Sequence, residues 1–239
     1  MFTRAVSDAV GEERAQVSIL GRTHSSMLGH GDTKAGNDSG PWLYESLRKA
    51  LLSKSDAPKV LVLLPNTFSN EQTEYDQEII RIAERHHKLP LSQRPGPDVM
   101  DMRAMTRTTV TTLIDLKMRV RAGENDFRVL LINEAPRACL IMTSRFCFYE
   151  MYVPGLDGGV EDIRQAARID AAGHESQSYA AMADYFESLR ARPDTQDAIG
   201  VLAQYCAEHA GTLENRYSRQ VRAQLVKYEQ LYERKVLSA

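Results

Sequence analysis

The sequence predicts an α/β fold in which a layered, mixed β-sheet is flanked by helices and followed by a helical C-terminal extension. Short apolar runs at residues 16–21 and 126–132 predict strands, and the continuous aliphatic run at residues 59–66 is typical of a strand that is covered on both faces. Segments with helical apolar spacing separate these runs, as in a parallel sheet. A phospholipase D-like or a Rossmann-like arrangement fits this order.

Helices are predicted between the strands and after them. Pro41 suits the first turn of a helix, and Leu43, Leu47 and Leu51 follow it with helical spacing. Residues 102–121 carry a similar apolar face. The other predicted helices are 70–88, 179–190, 195–209 and 217–236, and the proline-rich residues 89–97 form a linker.

The pattern of apolar and turn residues at 138–153 predicts a β-hairpin. Apolar arms at 138–142 and 146–153 flank a three-residue turn that begins at Thr143. The arms of a hairpin are antiparallel, so the sheet is predicted to be mixed. Alternation puts Phe146, Phe148 and Glu150 on one face of the second arm.

Length and composition limit the classes of protein. The 239 residues suggest one domain with an appendage, which we divide into a ligand-binding domain (1–192) and a helical extension packed on it (193–239). With 43% hydrophobic and 26% charged residues, wholesale disorder is excluded. No run is long enough for a membrane helix, no secretory signal is recognisable, and the three cysteines lack CxxC spacing. We therefore expect a cytoplasmic protein that does not contact membranes.

Polar residues follow each of the three predicted central strands. Carboxyl ends of parallel strands share one edge of a sheet, where ligands commonly bind. Arg22 offers a guanidinium that can clamp a phosphate or carboxylate. We therefore hypothesise a crevice for a small anionic ligand, whereas the alternative is a polar turn whose hydroxyls cap the backbone. The candidate binding residues are Arg22, Thr23, Asn66, Asn133, Glu134 and Arg137.

A catalytic alternative uses the segment after the first strand. Ser25 or Ser26 is a candidate nucleophile with His24 as its base, although adjacent residues rarely reach each other in the required geometry. Glu150, among aromatic residues, is a candidate acid or base with a raised pKa. The other interpretation of Glu150 is an edge position or a pairing with Arg145.

No metal or cofactor is predicted. His86 and His87 point about 100° apart on a helix, so they do not chelate one ion easily. His24, His30 and Asp32 show no strict ligand spacing. Common nucleotide-binding, zinc-protease and hydrolase motifs are absent from the sequence.

Two helical segments raise the question of macromolecular partners. Basic side chains that could follow an RNA backbone are Arg103, Arg107, Lys117, Arg119 and Arg121. The alternative for them is a solvated helical face, since the net charge is −2. A homodimer seam or a packed helix explains the spacing of Leu213, Tyr217, Val221, Leu225, Tyr228 and Tyr232.

Three runs, VSILGRTHSSML, KVLVLLPN and DFRVLLINEAPRACLIMTSRFCFYEMYVPG, resemble the phospholipase D superfamily domain, most closely its bacterial regulatory or sensor branch. The resemblance spans residues 17–190 and includes SYAAMADYFESL. Active members carry H-x-K-x(4)-D, and the resemblance puts those three positions at Pro136, Ala138 and Thr143. Proline and alanine cannot attack or bind phosphate through a side chain. The resemblance therefore implies a domain that binds a ligand without cleaving it.

The runner-up function is a group-transfer enzyme, acyl or phosphoryl, that uses Ser25 or Ser26. The position of these serines after the first strand is similar to that in cyclodipeptide synthases. That similarity implies a tRNA-dependent reaction along the basic helix.

Overall fold

A mixed β-sheet forms the centre of the protein in the computed structural model, which describes residues 2–21, 42–52, 57–68, 102–120, 126–151 and 166–209. Seven strands are present in these ranges, in the order β6-β5-β4-β1-β2-β3-β7. The central strands β1, β2 and β3 are parallel, and every other pairing is antiparallel. The strands are β1 (Gln16–Leu20), β2 (Lys59–Pro65), β3 (Phe127–Ile132), β4 (Ala138–Met142), β5 (Phe146–Met151), β6 (Ala166–Asp170) and β7 (Gln196–Asp197).

Helices cover both faces of this sheet. On one face, residues of α1, α2, α3 and α5 pack in a single apolar cluster with alternate residues of the central strands. On the other face, α4 packs against the intervening strand residues. The helices are α1 (Phe2–Glu12), α2 (Trp42–Leu51), α3 (Met102–Val120), α4 (Ser176–Arg190) and α5 (Ala198–His209).

The burial pattern explains why the central strands are continuously apolar. Val62 and Leu64 face the cluster with α2 and α3, whereas Leu63 between them faces the cluster with α4. A strand with a hydrophobic layer on each side cannot alternate apolar and polar residues. The mixed α/β class, the parallel centre and the hairpin at 138–151 are therefore confirmed.

Three elements differ from the prediction. Helix α1 was not predicted, although Val6, Ala9 and Val10 are buried at the spacing of one helical face. Strand β6 at one edge and the two-residue β7 at the other were also missed. Both are short, and neither has the aliphatic run that identifies the central strands.

The start of α5 was predicted wrongly. It begins at Ala198 rather than Thr195, because Gln196 and Asp197 pair with β3. The Asp197 side chain then accepts a hydrogen bond from the Ile199 N–H at 3.0 Å, as an N-cap residue does. Ala198 and Leu202 belong to the main core, so the described part of the predicted extension packs directly on the sheet.

Glu13 fastens α1 to the β4–β5 turn. Its carboxylate is 6% exposed and accepts hydrogen bonds from the N–H groups of Arg14, Ala15 and Ser144 and from the Ser144 hydroxyl, at 2.7–2.8 Å. Burial alone would raise the pKa of Glu13. The hydrogen bonds outweigh that effect, so the pKa of Glu13 lies below its usual value.

Several predictions lie outside the described residues. They concern the polar segment after the first strand, the helix at 70–88, the linker at 89–97 and the helix at 217–236 with its dimer seam.

Candidate functional site

The carboxyl ends of the parallel strands form one edge of the sheet. The Asn66 N–H donates to the Ile132 carbonyl at 2.7 Å, so the segments after β2 and β3 lie side by side. The Gly21 N–H, one residue beyond β1, donates to the Leu63 carbonyl at 3.4 Å. We call this edge the strand-end rim and define it by Gly21, Asn66, Asn133, Glu134 and Arg137.

Asn66 organises the backbone of the rim. Its side chain is buried, its Oδ1 accepts the Phe68 N–H at 3.1 Å, and its Nδ2 donates to Gln196 Oε1 at 3.4 Å. The first bond closes a tight turn after β2, and the second ties that turn to β7. The amide of Asn66 is thus already engaged within the protein.

Asn133 differs from Asn66. Its Oδ1 atom is buried and, among the described residues, has no hydrogen-bond partner. A buried polar atom without a partner costs about 1–3 kcal/mol. A group that binds at this end of β3 can supply the missing hydrogen bond to Oδ1.

Glu134 belongs to a small ionic network on the rim. Its carboxylate accepts a hydrogen bond from Arg192 Nη1 at 2.5 Å, and Arg192 Nε contacts Asp194 at 3.2 Å. Arg192 lies in the turn between α4 and β7 and therefore holds that turn against the end of β3. Glu134 is consequently paired rather than open to an incoming ligand.

Arg137 provides positive charge at the rim. Its backbone N–H donates to the Tyr185 hydroxyl of α4 at 3.1 Å, which fixes the main chain at the start of β4. Its side chain is exposed, and within the described part of the chain its guanidinium has no hydrogen-bond or ion-pair partner. The main chain is therefore fixed at Arg137, and the exposed side chain brings a positive charge to this edge of the sheet.

The three positions that the family resemblance singles out have no catalytic groups. Pro136 and Ala138 are buried where β4 begins. Thr143 lies at the other end of β4, where its Oγ1 accepts the Phe146 N–H at 3.0 Å and caps the hairpin turn. The Pro136 and Ala138 side chains cannot attack a phosphate or carry a proton to one, and the Thr143 hydroxyl is engaged in the hairpin turn.

The catalytic candidates of the alternative hypothesis are only partly described. His24, Ser25 and Ser26, like the binding candidates Arg22 and Thr23, lie outside the described residues. Glu150 is half-buried and pairs with Cys139 of β4 and Ala166 of β6. Its strand is therefore interior, so the interpretation of Glu150 as an edge residue is wrong.

The face of Glu150 agrees with the predicted alternation. Phe146, Phe148 and Glu150 pair directly with Asp170, Arg168 and Ala166, so these three residues share one face of the sheet. Cys139, opposite Glu150, follows Ala138 at the start of β4. Glu150 thus lies toward the edge of the sheet that carries the strand-end rim. Arg145, the other residue in the sequence-based interpretation of Glu150, contacts Glu12 at 3.9 Å and the ring of Phe146.

Arg107, one of the proposed RNA-binding residues, is bound within the fold. Its Nε and Nη2 donate to the Thr67 carbonyl at 2.8 and 2.5 Å, and its Nη1 donates to the Tyr205 hydroxyl at 3.2 Å. The guanidinium also lies over the rings of Phe68 and Tyr205, 5.6 and 5.0 Å from their centres. Arg107 therefore links α3 and α5 to the turn after β2.

The other proposed RNA-binding residues do not form one open surface. Lys117 is only 6% exposed, so the interpretation of this helix as a solvated face is wrong for Lys117. Arg119 is exposed and pairs with Asp115 at 2.5 Å. The side chain of Arg103 and the whole of Arg121 lie outside the described residues.

Three residues of this edge were not predicted from the sequence: Tyr185, Arg192 and Gln196. They come from α4, the turn after it and β7, far along the chain from the residues they contact. The run Arg192-Pro193-Asp194-Thr195 has the composition of a turn. That signal indicates a turn but does not indicate where in the fold it lies.

Comparison with known protein families finds no family model that matches this chain, and comparison with curated proteins finds no match. In the described ranges, no helix is long and apolar enough to cross a membrane. In the same ranges, no group of three or more His, Cys, Asp or Glu residues is arranged to hold a metal ion.

Proposed function

We propose that the protein is a non-catalytic binding domain that holds a small anionic ligand at the strand-end rim. The resemblance to the phospholipase D superfamily implies a ligand site at the start of β4, and the same resemblance leaves Pro136 and Ala138 without reactive groups. Binding without cleavage is the function that both facts support.

The observation that carries this proposal is the unpaired guanidinium of Arg137. An exposed arginine on a fixed main chain can hold a phosphate or carboxylate through two parallel hydrogen bonds. Asn133, four residues earlier in the chain, has a buried Oδ1 atom that has no hydrogen-bond partner among the described residues.

Inorganic phosphate and pyrophosphate are suitable probes for this site. At roughly ten times the dissociation constant, a bound anion adds about 1.4 kcal/mol to the free energy of unfolding, which raises the Tm by a few degrees. We expect this rise over sodium chloride of equal ionic strength in the unmodified protein, and its loss in Arg137→Gln.

The matched control is Arg4→Gln, because Arg4 is an exposed arginine of α1 that, within the described ranges, contacts only Asp8, at 3.9 Å. This variant is expected to keep the full thermal shift. The same shift in Arg137→Gln, or no shift in the unmodified protein, would refute binding at this rim.

The second candidate function is group transfer by Ser25 or Ser26, with RNA as a partner. It is favoured by the position of Glu150, which lies toward the same edge of the sheet as the end of β1. This function predicts a covalent adduct on one of these serines and co-purified RNA. Mass spectrometry of the 22–40 region and the ratio of absorbance at 260 and 280 nm test both points. Unmodified serines and an RNA-free preparation would exclude it.

A further inference from the structure

A cavity of about 250 Å³ lies between α4 and the amino end of β1, at the end of the sheet opposite the strand-end rim. This volume corresponds to about eight water molecules. We call it the hydroxyl-lined pocket; its apolar walls are Met142, Ala183 and Phe186, and its hydroxyl groups come from Ser18, Ser144 and Tyr179.

Small residues create this space. Ser18 pairs with Met142 on the face of the sheet that α4 covers, where Leu20 and Leu140 are the next pair. Ser18 therefore stands where this apolar layer would otherwise continue with a larger side chain. Ala183 is equally small on the opposing helix. The pocket is the volume that these two side chains leave unfilled.

Ser18 has unused hydrogen-bonding capacity inside the pocket. It is only 5% exposed, and its Oγ accepts a hydrogen bond from Gln16 Nε2 at 2.8 Å. Among the described residues its own proton has no acceptor. A buried hydroxyl donor without an acceptor is costly, so an acceptor atom placed in the pocket would be stabilised.

The hydroxyl groups of Tyr179 and Ser144 offer hydrogen-bond acceptors to a ligand in the pocket. Tyr179 donates to the Thr143 carbonyl at 2.6 Å, and the Ser144 hydroxyl donates to Glu13 at 2.8 Å. Both protons are used, so both oxygens are left as acceptors. Burial, followed by the nearby Cys147 and Glu13, raises the pKa of Tyr179, so this group stays protonated near neutral pH.

The charges around the pocket favour an uncharged ligand. Among the described residues, no basic side chain lines it, whereas Glu187 is part of its lining and Glu13 lies behind Ser144. An anion would lose its hydration there without gaining a counter-charge. Glu187 already pairs with Arg190 at 2.5 Å, and Glu13 is saturated by hydrogen bonds, so neither carboxylate offers an unpaired charge to a cation.

We propose that the hydroxyl-lined pocket binds a small uncharged molecule that carries a carbonyl or ring-nitrogen acceptor beside an N–H donor on a flat apolar body. The acceptor receives the Ser18 proton, the donor reaches Tyr179 or Ser144, and the apolar body packs against Met142 and Phe186. This site is separate from the strand-end rim, and it does not rest on the function proposed for that rim.

Benzamide, benzoate and benzamidinium test this proposal, because they have the same size and shape and differ in charge and hydrogen-bonding pattern. Saturation-transfer NMR at millimolar concentrations compares their binding to the full-length protein. Benzamide has both the acceptor and the donor, so we expect it to bind best. Benzoate is expected to bind more weakly because it is charged, and benzamidinium because it lacks an acceptor.

Two variants locate the binding. Ala183→Leu fills the pocket and is expected to weaken benzamide binding by at least about tenfold, whereas Ala181→Leu, on the exposed side of α4, leaves it unchanged. Ser18→Ala removes the donor without filling the space and is expected to weaken binding by about fivefold. It therefore tests the site even if Ala183→Leu does not fold.

Absence of benzamide binding, benzoate binding as tight as that of benzamide, or full benzamide affinity in either folded pocket variant would overturn the proposal.

Discussion

Arg107 shows how a single charged side chain can be part of the core. Its guanidinium lies over the rings of Phe68 and Tyr205 and donates twice to the Thr67 carbonyl. The planar group satisfies a buried carbonyl and packs on two aromatic faces at the same time. Through Thr67 and Phe68 it also supports the turn in which Asn66 is held.

The substitution Arg107→Lys tests this role. A lysine keeps the charge but can neither donate in the same fork nor stack as a plane, so we expect a loss of about 1–2 kcal/mol in the free energy of unfolding. Urea denaturation measures this loss. Arg119→Lys, at an exposed arginine of the same helix, is expected to change stability by less than about 0.5 kcal/mol. Equal effects of the two substitutions would contradict the structural role of Arg107.

Helix α4 covers one face of the sheet. Phe186 and Leu189 are its buried residues, and they pack with Leu20, Leu63 and other strand residues. Two tyrosines of the helix bond to the residues that flank β4: Tyr179 donates to the Thr143 carbonyl and Tyr185 accepts the Arg137 N–H. The helix is thus fixed by apolar packing in its carboxyl-terminal half and by hydrogen bonds at two points before Phe186.

Phe186→Ala tests the apolar contribution of this helix. Truncation of a fully buried phenylalanine leaves a cavity, so we expect a loss of about 3–5 kcal/mol in the free energy of unfolding. Ser188→Ala lies on the exposed side of the same helix and is expected to have an effect within about 0.5 kcal/mol. Chemical denaturation followed by circular dichroism compares the two variants. A loss below about 1 kcal/mol for Phe186→Ala would show that α4 contributes little to the core.

The elements differ in how far the sequence predicts them. Residues 60–64 identify a doubly covered strand, because only such a strand is apolar at every position. Strand β7 has no such signal, since Gln196 and Asp197 are polar and form a strand only because the edge of β3 is available. The position of Asn66 and Asn133 at one edge follows from parallel pairing, whereas the contact of Asn66 with Gln196 depends on the path of the chain through α4.

The pockets and networks of the whole molecule were harder to predict than its elements. Ser18, Thr143 and Ala183 meet at the hydroxyl-lined pocket from three distant parts of the chain. Each is an unremarkable small residue in its local sequence. Glu13 likewise gives no local sign that it will accept two hydrogen bonds from Ser144. Such sites depend on tertiary contacts, which local patterns do not encode.

The stability of the whole molecule is expected to depend on pH through Glu13. Its pKa is lower in the folded protein than the ordinary carboxyl value of 4.5, so its ionised form is the one that the fold stabilises. That contribution is fully present above about pH 4.5 and is lost as the pH falls through the lower folded pKa. Denaturation of the unmodified protein and of Glu13→Gln over this range measures it.

The expected result is a stability gap between the two proteins that is constant near neutral pH and shrinks below about pH 4.5. Glu12→Gln is the control, because Glu12 is exposed and its one contact with the described part of the chain is with Arg145, at 3.9 Å. Its gap to the unmodified protein is expected to be near zero throughout. If the difference in the free energy of unfolding between Glu13→Gln and the unmodified protein stays constant below about pH 4.5, the charge of the carboxylate is not what holds α1 against the turn.

The two tyrosine contacts of α4 have a mechanical consequence. Tyr179 bonds beyond one end of β4 and Tyr185 before its other end, and the two residues are about 9 Å apart along the helix axis. A helix that is attached at two such points cannot slide along the sheet without straining both hydrogen bonds. A molecule that pushes the helix away from the sheet at Tyr179 would therefore also displace the main chain at Arg137, where the second hydrogen bond is made.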